Sequence, residues 1–418
     1  MSRIGVLFMI VLRSLRQHAL SSVITIMSAA LASGLVMSVF TVADQSKAAF
    51  TGGDIGYDAV LGAKGSELQL VLNTVFHLET SPGNIPWSLY QAVKVDKRVR
   101  YAIPYALGDN LYGYRIVGTT DEIHTVFEYQ SGQKYELAGG QWFAQDRMEA
   151  VFGSVVAEEL GLRVGDTFQP YHGLQFAPGS APHEEQYLIT GVMRPTNTPA
   201  DRAIWIPIEG IFRMGGHKLA GGTQEVTADM AETPDEWKEV SAVMLKFKSP
   251  AAGLFMKDEV RRGSVATLAW PIADVMAKFF AKMGWVTKVL TLIAYLVVVV
   301  AGFSLLASIY NTMNERRKEI AVLRALGAKR RTIFSVIVAE ASTIALLGSL
   351  LGYVVYFAVL LVAASVIRAQ TGVVLDVTAV HPALYLTPPA MVLVGALSGL
   401  LPAFKAYSTD VAGTLARV

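Results

Sequence analysis

The sequence predicts an α-helical membrane protein with four transmembrane helices and a large α+β extracytoplasmic domain inserted between helices 1 and 2. Two observations carry this reading. Four apolar runs, near residues 20–42, 289–310, 333–367 and 384–404, each approach or exceed the roughly 20 residues needed to cross about 30 Å of hydrocarbon. Between the first two lies a long stretch of mixed polarity with strand and turn signals. The composition agrees, since 52% hydrophobic and 17% charged over 418 residues is too apolar for an ordinary soluble chain and too polar for one wholly in lipid. A net charge of +2 gives no reason to expect a nucleic-acid partner. The chain has no cysteine, which excludes disulfides and thiolate metal sites.

Residues 1–18 read as a cytoplasmic amphipathic helix. Ile4, Leu7, Phe8, Val11, Leu12 and Leu15 share one face that Arg3, Arg13 and Arg16 avoid, which suits a helix lying in the membrane interface. Transmembrane helix 1 is expected over 19–43. Thr41-Val42-Ala43 resembles a cleavage site, but the apolar run exceeds the 7–15 residues of a signal-peptide core, so a retained signal anchor is expected. Ala30 and Gly34 place small residues one turn apart on it.

Residues 44–284 are expected to form the extracytoplasmic α+β domain with helical stalks. Segments 112–117, 187–192 and 243–247 are rich in β-branched and aromatic residues and read as strands. Segments 88–93 and 155–160 read as short helices, the second stopped by Gly161. Gly215-Gly216 and Gly221-Gly222 bracket a polar stretch up to Pro234 that reads as a mobile surface loop. Beyond Trp270-Pro271, Ile272, Val275, Met276, Phe279, Phe280, Met283 and Val286 keep a helical period into the second span, which predicts a helix leaving the membrane without a break.

Transmembrane helix 2 is expected over 285–310, a cytoplasmic segment over 311–331, and transmembrane helix 3 over 332–367. A loop over 368–383, transmembrane helix 4 over 384–404 and a tail over 405–418 complete the chain. Arg316, Arg317, Lys318, Arg324, Lys329, Arg330 and Arg331 crowd the segment between the second and third spans, whereas the loop before the fourth holds only Arg368 and Asp376 among Lys, Arg, Asp and Glu. By the positive-inside rule the basic segment and both termini are cytoplasmic, which in a bacterium places the chain in the inner membrane as a multi-pass protein. Gly348-x-x-x-Gly352 and Gly395-x-x-x-Gly399 offer small faces for close helix packing, within one chain or between two copies. Glu340 lies near the start of the third span, about 12–14 Å beyond Arg331 along a helix. Pairing with a basic neighbour or reaching the interface is expected for it, rather than proton relay.

No Gly-x-x-x-x-Gly-Lys-[Ser/Thr] occurs, so the chain has no P-loop of its own, and Gly62-Ala-Lys-Gly-Ser66 has the wrong spacing. There is no His-Glu-x-x-His and no Gly-x-Ser-x-Gly. The seven histidines are scattered; His124 with Glu128, and His172 with His183, Glu184 and Glu185, are the nearest approaches to a metal-ligand pattern. Surface or hydrogen-bonded histidines are expected instead, with no metal site and no catalytic residue.

The basic segment is more patterned than topology requires. Glu315 and Glu319 punctuate it, Ile320, Leu323 and Leu326 form an apolar face, and Gly327 marks a helix terminus. Short basic loops also serve as topology determinants or contacts to membrane lipid. The whole pattern, however, reads as a docking surface.

The run Glu315-Arg-Arg-Lys-Glu-Ile-Ala-Val-Leu-Arg-Ala-Leu-Gly-Ala-Lys329 resembles the motif between the second and third membrane helices of the FtsX/MacB family of ABC-transporter permeases, the mechanotransmission class. Leu400-Leu-Pro402-Ala403, followed by Thr409-Asp410-Val411 and Leu415, is similar to the family's C-terminal ending, with Asp410-Val411 in place of its usual Asp-Pro. Residues 155–166 resemble a recurrent element of its periplasmic domain, whereas much of 54–101 matches no family motif.

The resemblance implies a permease working as a dimer with two copies of a cytoplasmic ABC ATPase. ATP and Mg would be bound by that partner, and this chain would carry no cofactor and no enzyme activity of its own. The implied coupling residues are Glu315, Arg316, Arg317, Lys318, Glu319, Ile320, Leu323, Arg324, Leu326, Gly327, Lys329, Arg330 and Arg331. The implied work is export or extraction of lipoprotein, peptide or amphiphile cargo. The alternative is a non-translocating signalling subunit that regulates a periplasmic envelope enzyme. A periplasmic or lipoprotein partner fits either reading.

Overall fold

The computed structural model describes residues 3–51, 55–215 and 233–408. Gly216, Gly221, Gly222 and the C-terminal Thr409, Asp410, Val411 and Leu415 lie outside them, as do the side chains of Ile4, Leu7, Phe8 and Lys318. The chain divides into two compact units at Ser46/Lys47, Lys282/Met283, Ser365/Val366 and Leu375/Asp376.

The sheet unit is built on a mixed sheet. Its principal strands are β1 (Ala59–Ala63), β2 (Val99–Leu111), β3 (Tyr114–Thr119), β4 (Leu137–Gly140), β5 (Glu149–Phe152), β6 (Tyr171–His172), β7 (Tyr187–Met193), β8 (Ala203–Pro207), β9 (Ala242–Phe247) and β10 (Ala266–Ala269). They run in the order β10-β1-β9-β2-β3-β8-β5-β7-β4, with β6 paired to β2 off this path. Neighbours are antiparallel except β8 with β3 and β5 with β7, which are parallel.

Side chains alternate across the sheet with period two, and both faces are covered. On β8, Ile204 and Ile206 enter one hydrophobic layer and Trp205 the other. On β9, Val243, Leu245 and Phe247 oppose Ala242 and Met244 in the same way. Helices Trp87–Lys94, Ile208–Arg213 and Pro250–Arg262 supply the first layer through Tyr90, Phe212 and Met256. Helix Glu67–Thr74 supplies the second through Leu70 and Val71, joined by Ile272, Val275 and Met276.

Local signals explain where these elements start and stop. Ser66 and Ser249 accept hydrogen bonds from the backbone N–H groups of Gln69 and Ala252 and so cap their helices. Gly161 ends helix Ser154–Leu160 in the left-handed region at φ +67°, where glycine costs least. The sequence places a loop over 368–383; helix runs on to Thr371 and resumes at Pro382, residues 372–381 between them are neither helix nor strand, and Val373 and Leu375 are buried.

Among the described residues, six helices make up or enter the other unit: α1 (Arg3–Gln17), α2 (Ala19–Thr51), α3 (Ile272–Glu315), α4 (Arg317–Ala325), α5 (Arg330–Thr371) and α6 (Pro382–Ser408). Of these, α2, α3, α5 and α6 are long and apolar enough to span a membrane. Small residues set their approach. A Cβ on Gly348 would lie 2.4 Å from Ala29 Cβ, and one on Gly352 would lie 2.0 Å from Ser33 Oγ and 3.1 Å from the Ala30 carbonyl oxygen. Gly34 meets Val355 and the Gly352 carbonyl in turn. On the other flank of α5, Gly395 faces Ala345 and Ala341, and Gly399 faces Ala341. Thus α5 lies between α2 and α6, with backbones close enough for dispersion forces to act where lipid supplies no hydrophobic drive.

Candidate functional site

The candidate site is the elbow formed by the end of α3, all of α4 and the start of α5. Arg316 alone interrupts helical assignment between α3 and α4, with φ −92° and ψ 12°. At the far end, the Gly327 N–H donates to the Arg324 carbonyl and the Ala328 N–H to the Leu323 carbonyl, both at 3.0 Å. That is a Schellman ending, and it requires the left-handed φ of +98° at Gly327. Nothing lies within 4 Å of a Cβ added there, so the constraint is the dihedral rather than space.

The elbow has an inner and an outer side. Inward, Ile320 is 8% exposed and packs with Ile309, Ile333, Ile337, Ala403 and Ala406. Burying such a side chain contributes about 1.5–3 kcal/mol, enough to seat α4 against α3, α5 and α6. Arg316 also turns inward. Its Nη1 donates to Ser14 Oγ at 2.6 Å and lies 3.6 Å from Glu340 Oε2, while its Nε donates to Glu319 Oε2 at 3.2 Å. Ser14 Oγ in turn donates to Glu340 Oε1 at 2.5 Å. Ser14 and Glu340 are 1% and 7% exposed, so the carboxylate is buried beside a guanidinium and a hydroxyl, as a buried charge requires.

This cluster ties α1 to α4 and α5. Gln17 Nε2 donates to Glu319 Oε1 at 3.4 Å, and His18 Nδ1 lies 3.3 Å from Glu315 Oε2. Nearby, Lys405 pairs with the Tyr310 hydroxyl, and the Arg330 guanidinium lies over the Tyr407 ring at 5.3 Å.

The outer side presents Arg317, Leu323, Leu326, Gly327, Lys329 and Arg331, all exposed. Leu326 is 81% exposed and neighbours exposed Leu323 and Val322. An apolar strip rimmed by cations on a short, firmly seated helix has the character of a docking patch. The thirteen residues singled out from the sequence therefore divide. Arg316 and Ile320 hold the elbow in place, Glu315 and Glu319 reach His18 and Gln17 at the start of the bundle, and Arg330 lies over Tyr407. Arg324 is half-buried, the Lys318 side chain lies outside the described residues, and Arg317, Leu323, Leu326, Gly327, Lys329 and Arg331 are exposed. Sequence reading missed Ser14, whose only signal is a hydroxyl within an otherwise apolar and basic helix. The packing residues Ala30, Gly34, Gly348, Gly352, Gly395 and Gly399 all meet helices of this same chain.

Four membrane-length helices, with a seated amphipathic elbow between the second and third, define a multi-pass membrane protein. Residues 4–262 match the family described as MacB-like periplasmic core domain, and residues 291–411 match the FtsX-like permease C-terminal family. The chain belongs to the FtsX/MacB family of ABC-transporter permeases.

Among its relatives, the macrolide export ATP-binding/permease protein MacB of Shewanella sp. (strain ANA-3) is 24% identical over 295 residues, 68% of this chain and 41% of that protein. The protein of the same name from Shewanella oneidensis is 23% identical over 353 residues, 81% of this chain and 49% of that protein. An uncharacterized ABC transporter permease of Methanocaldococcus jannaschii is 27% identical over 232 residues, 53% of this chain and 50% of that protein. The chain thus spans about half the length of the curated relatives it matches.

Proposed function

We propose that this chain is a permease subunit in which a partner ABC ATPase, bound at the outer side of the elbow, drives movement of the sheet unit. The observation that carries this reading is the two-sided elbow: an exposed apolar and basic strip on a helix anchored from within by Ile320 and the Arg316–Glu340–Ser14 cluster. A docking helix must be firmly seated if a push on it is to move the spans rather than only itself. Helix α3 offers a path for that push. It starts among sheet-unit core residues Ile272, Val275 and Met276 and runs unbroken to Glu315, one residue before Arg316. MacB relatives are named ATP-binding/permease proteins, which supports a permease that works with an ABC ATPase. ATP and Mg would be held by that partner.

The proposed setting is the bacterial inner membrane with both termini cytoplasmic, the polarity that the basic elbow favours. The proposed work is export or extraction of a lipoprotein, peptide or amphiphile by a dimer of permeases. Regulation of an envelope enzyme by the same stroke is the alternative.

The test separates docking from folding. Charge reversal of Arg317, Lys329 and Arg331 to Glu, with Leu326→Glu, is expected to abolish co-purification of the ATPase while membrane insertion stays intact. Survival of the complex would refute the docking reading. Crosslinking from the sheet unit in intact cells decides the work done: lipoprotein or peptide as the dominant adduct supports transport, and an enzyme supports regulation.

A further inference from the structure

The sequence leaves the histidines scattered, but the fold gathers two of them with an aspartate. Asp109 on β2 and His172 on β6 are directly opposed in antiparallel register, which sets their side chains side by side on one face. The chain then makes an excursion and returns. Tyr171 bridges Pro182, and the His183 N–H donates to the Pro170 carbonyl at 2.8 Å. Asn110 Nδ2 donates to the carbonyls of Tyr171 and Gly173, at 3.3 and 2.8 Å, and Gln169 Nε2 donates to the His183 carbonyl at 3.0 Å. The backbone that carries the three side chains is therefore fixed by hydrogen bonds of its own.

We propose that Asp109, His172 and His183 form a site for a single divalent transition cation of the zinc class, which closes the 173–182 excursion onto strand β2. One ligand atom from each residue lies within 4.8 Å of the other two. Asp109 Oδ1 is 3.5 Å from His172 Nδ1 and 3.1 Å from His183 Nε2. Two ligands bound tetrahedrally at 2.0–2.2 Å stand roughly 3.3–3.6 Å apart, so small side-chain shifts would seat an ion among them. Two imidazoles and one carboxylate suit zinc, cobalt or nickel, whereas magnesium and calcium prefer all-oxygen shells. Burial is graded across the set. Asp109 is fully buried and the His183 side chain is 10% exposed, while that of His172 is 64% exposed. That gradient gives the ion a solvent-facing side, where water or a ligand from another molecule would complete the shell. The proposal is independent of the ATPase-docking reading.

The test uses the full-length, untagged chain in detergent after chelator treatment. Titration with ZnCl2, followed by calorimetry and by metal content after dialysis, is expected to give one equivalent per chain. His172→Ala and His183→Ala are each expected to weaken binding at least tenfold, and His172 is exposed enough for its replacement to leave the fold intact. Co2+ is expected to give the strong visible absorption of a four-coordinate N/O site in the parent chain and to lose it in both variants. A tenfold excess of Mg2+ is expected not to compete. Absence of stoichiometric Zn2+ binding, or binding unchanged in both variants, would overturn the site and leave the cluster as an ion pair.

Discussion

Glu340 illustrates how a buried charge near the start of a membrane-length helix is handled. Its carboxylate stands beside Arg316 and accepts from Ser14, so the residue that breaks α3 from α4 supplies the countercharge and α1 a hydrogen bond. Arg316→Ala would strand a buried carboxylate, a loss on the order of 3 kcal/mol. A marked drop in the apparent melting temperature in detergent is expected, and Arg316→Ala with Glu340→Gln is expected to recover part of it. Equal melting of single and double variants would exclude coupling between the two.

His77 shows the opposite arrangement. Burial, and then the positive charge of Arg115, lower its pKa from 6.5 to about 3, so it stays neutral in the folded chain. The unfolded chain takes up that proton below about pH 6.5, so stability is lost as pH falls from there toward 3, by up to roughly 1.4 kcal/mol per unit. Fluorescence-monitored urea unfolding, reported by buried Trp205, should show this slope, and His77→Asn should flatten it.

At the scale of elements, glycine does two different jobs. Gly327 is needed for its dihedral: Gly327→Ala is expected to cost about 1–2 kcal/mol at the end of α4 and to weaken ATPase co-purification more than membrane insertion. Gly352 is needed for its size, since even a Cβ would meet Ser33 Oγ at 2.0 Å. Gly352→Ala is expected to destabilise by about 1–3 kcal/mol through overpacking, and Gly352→Leu to prevent α2 and α5 from closing. Thermal stability in detergent reads both. A neutral Gly352→Leu would mean that these two helices do not pack through this face.

At the scale of the whole molecule, a large apolar surface is left uncovered. Leu292, Leu296, Val300 and Phe303 form an exposed stripe along the membrane-length part of α3, from 59% to 68% exposed. Lipid would cover such a stripe, as would a second permease copy in the arrangement proposed above. Cysteines introduced at Leu296 and Val300, into a chain that has none of its own, are expected to crosslink two copies in native membranes. Strictly monomeric products from every position on the stripe would rule out this face as the dimer seam.

The sequence by itself determined four helices of membrane length, their small-residue faces, the basic elbow and the family, because lipid and helix geometry impose patterns that are periodic and local. Strands at 187–192 and 243–247 and the helix stopped by Gly161 were legible for the same reason: β7, β9 and helix Ser154–Leu160 contain them. Only the tertiary structure decided which elbow residues face in. Arg316 and Arg317 are chemically alike and adjacent, and what separates them is Glu340 and Ser14, 24 residues ahead and 302 residues behind Arg316. It also decided that Asp109 meets His172 and His183, since a sheet register joins residues that no local pattern relates. Helical and lipid-facing periodicity is written into neighbouring residues, whereas convergence of polar side chains depends on closing long loops, which the sequence records only as isolated residues.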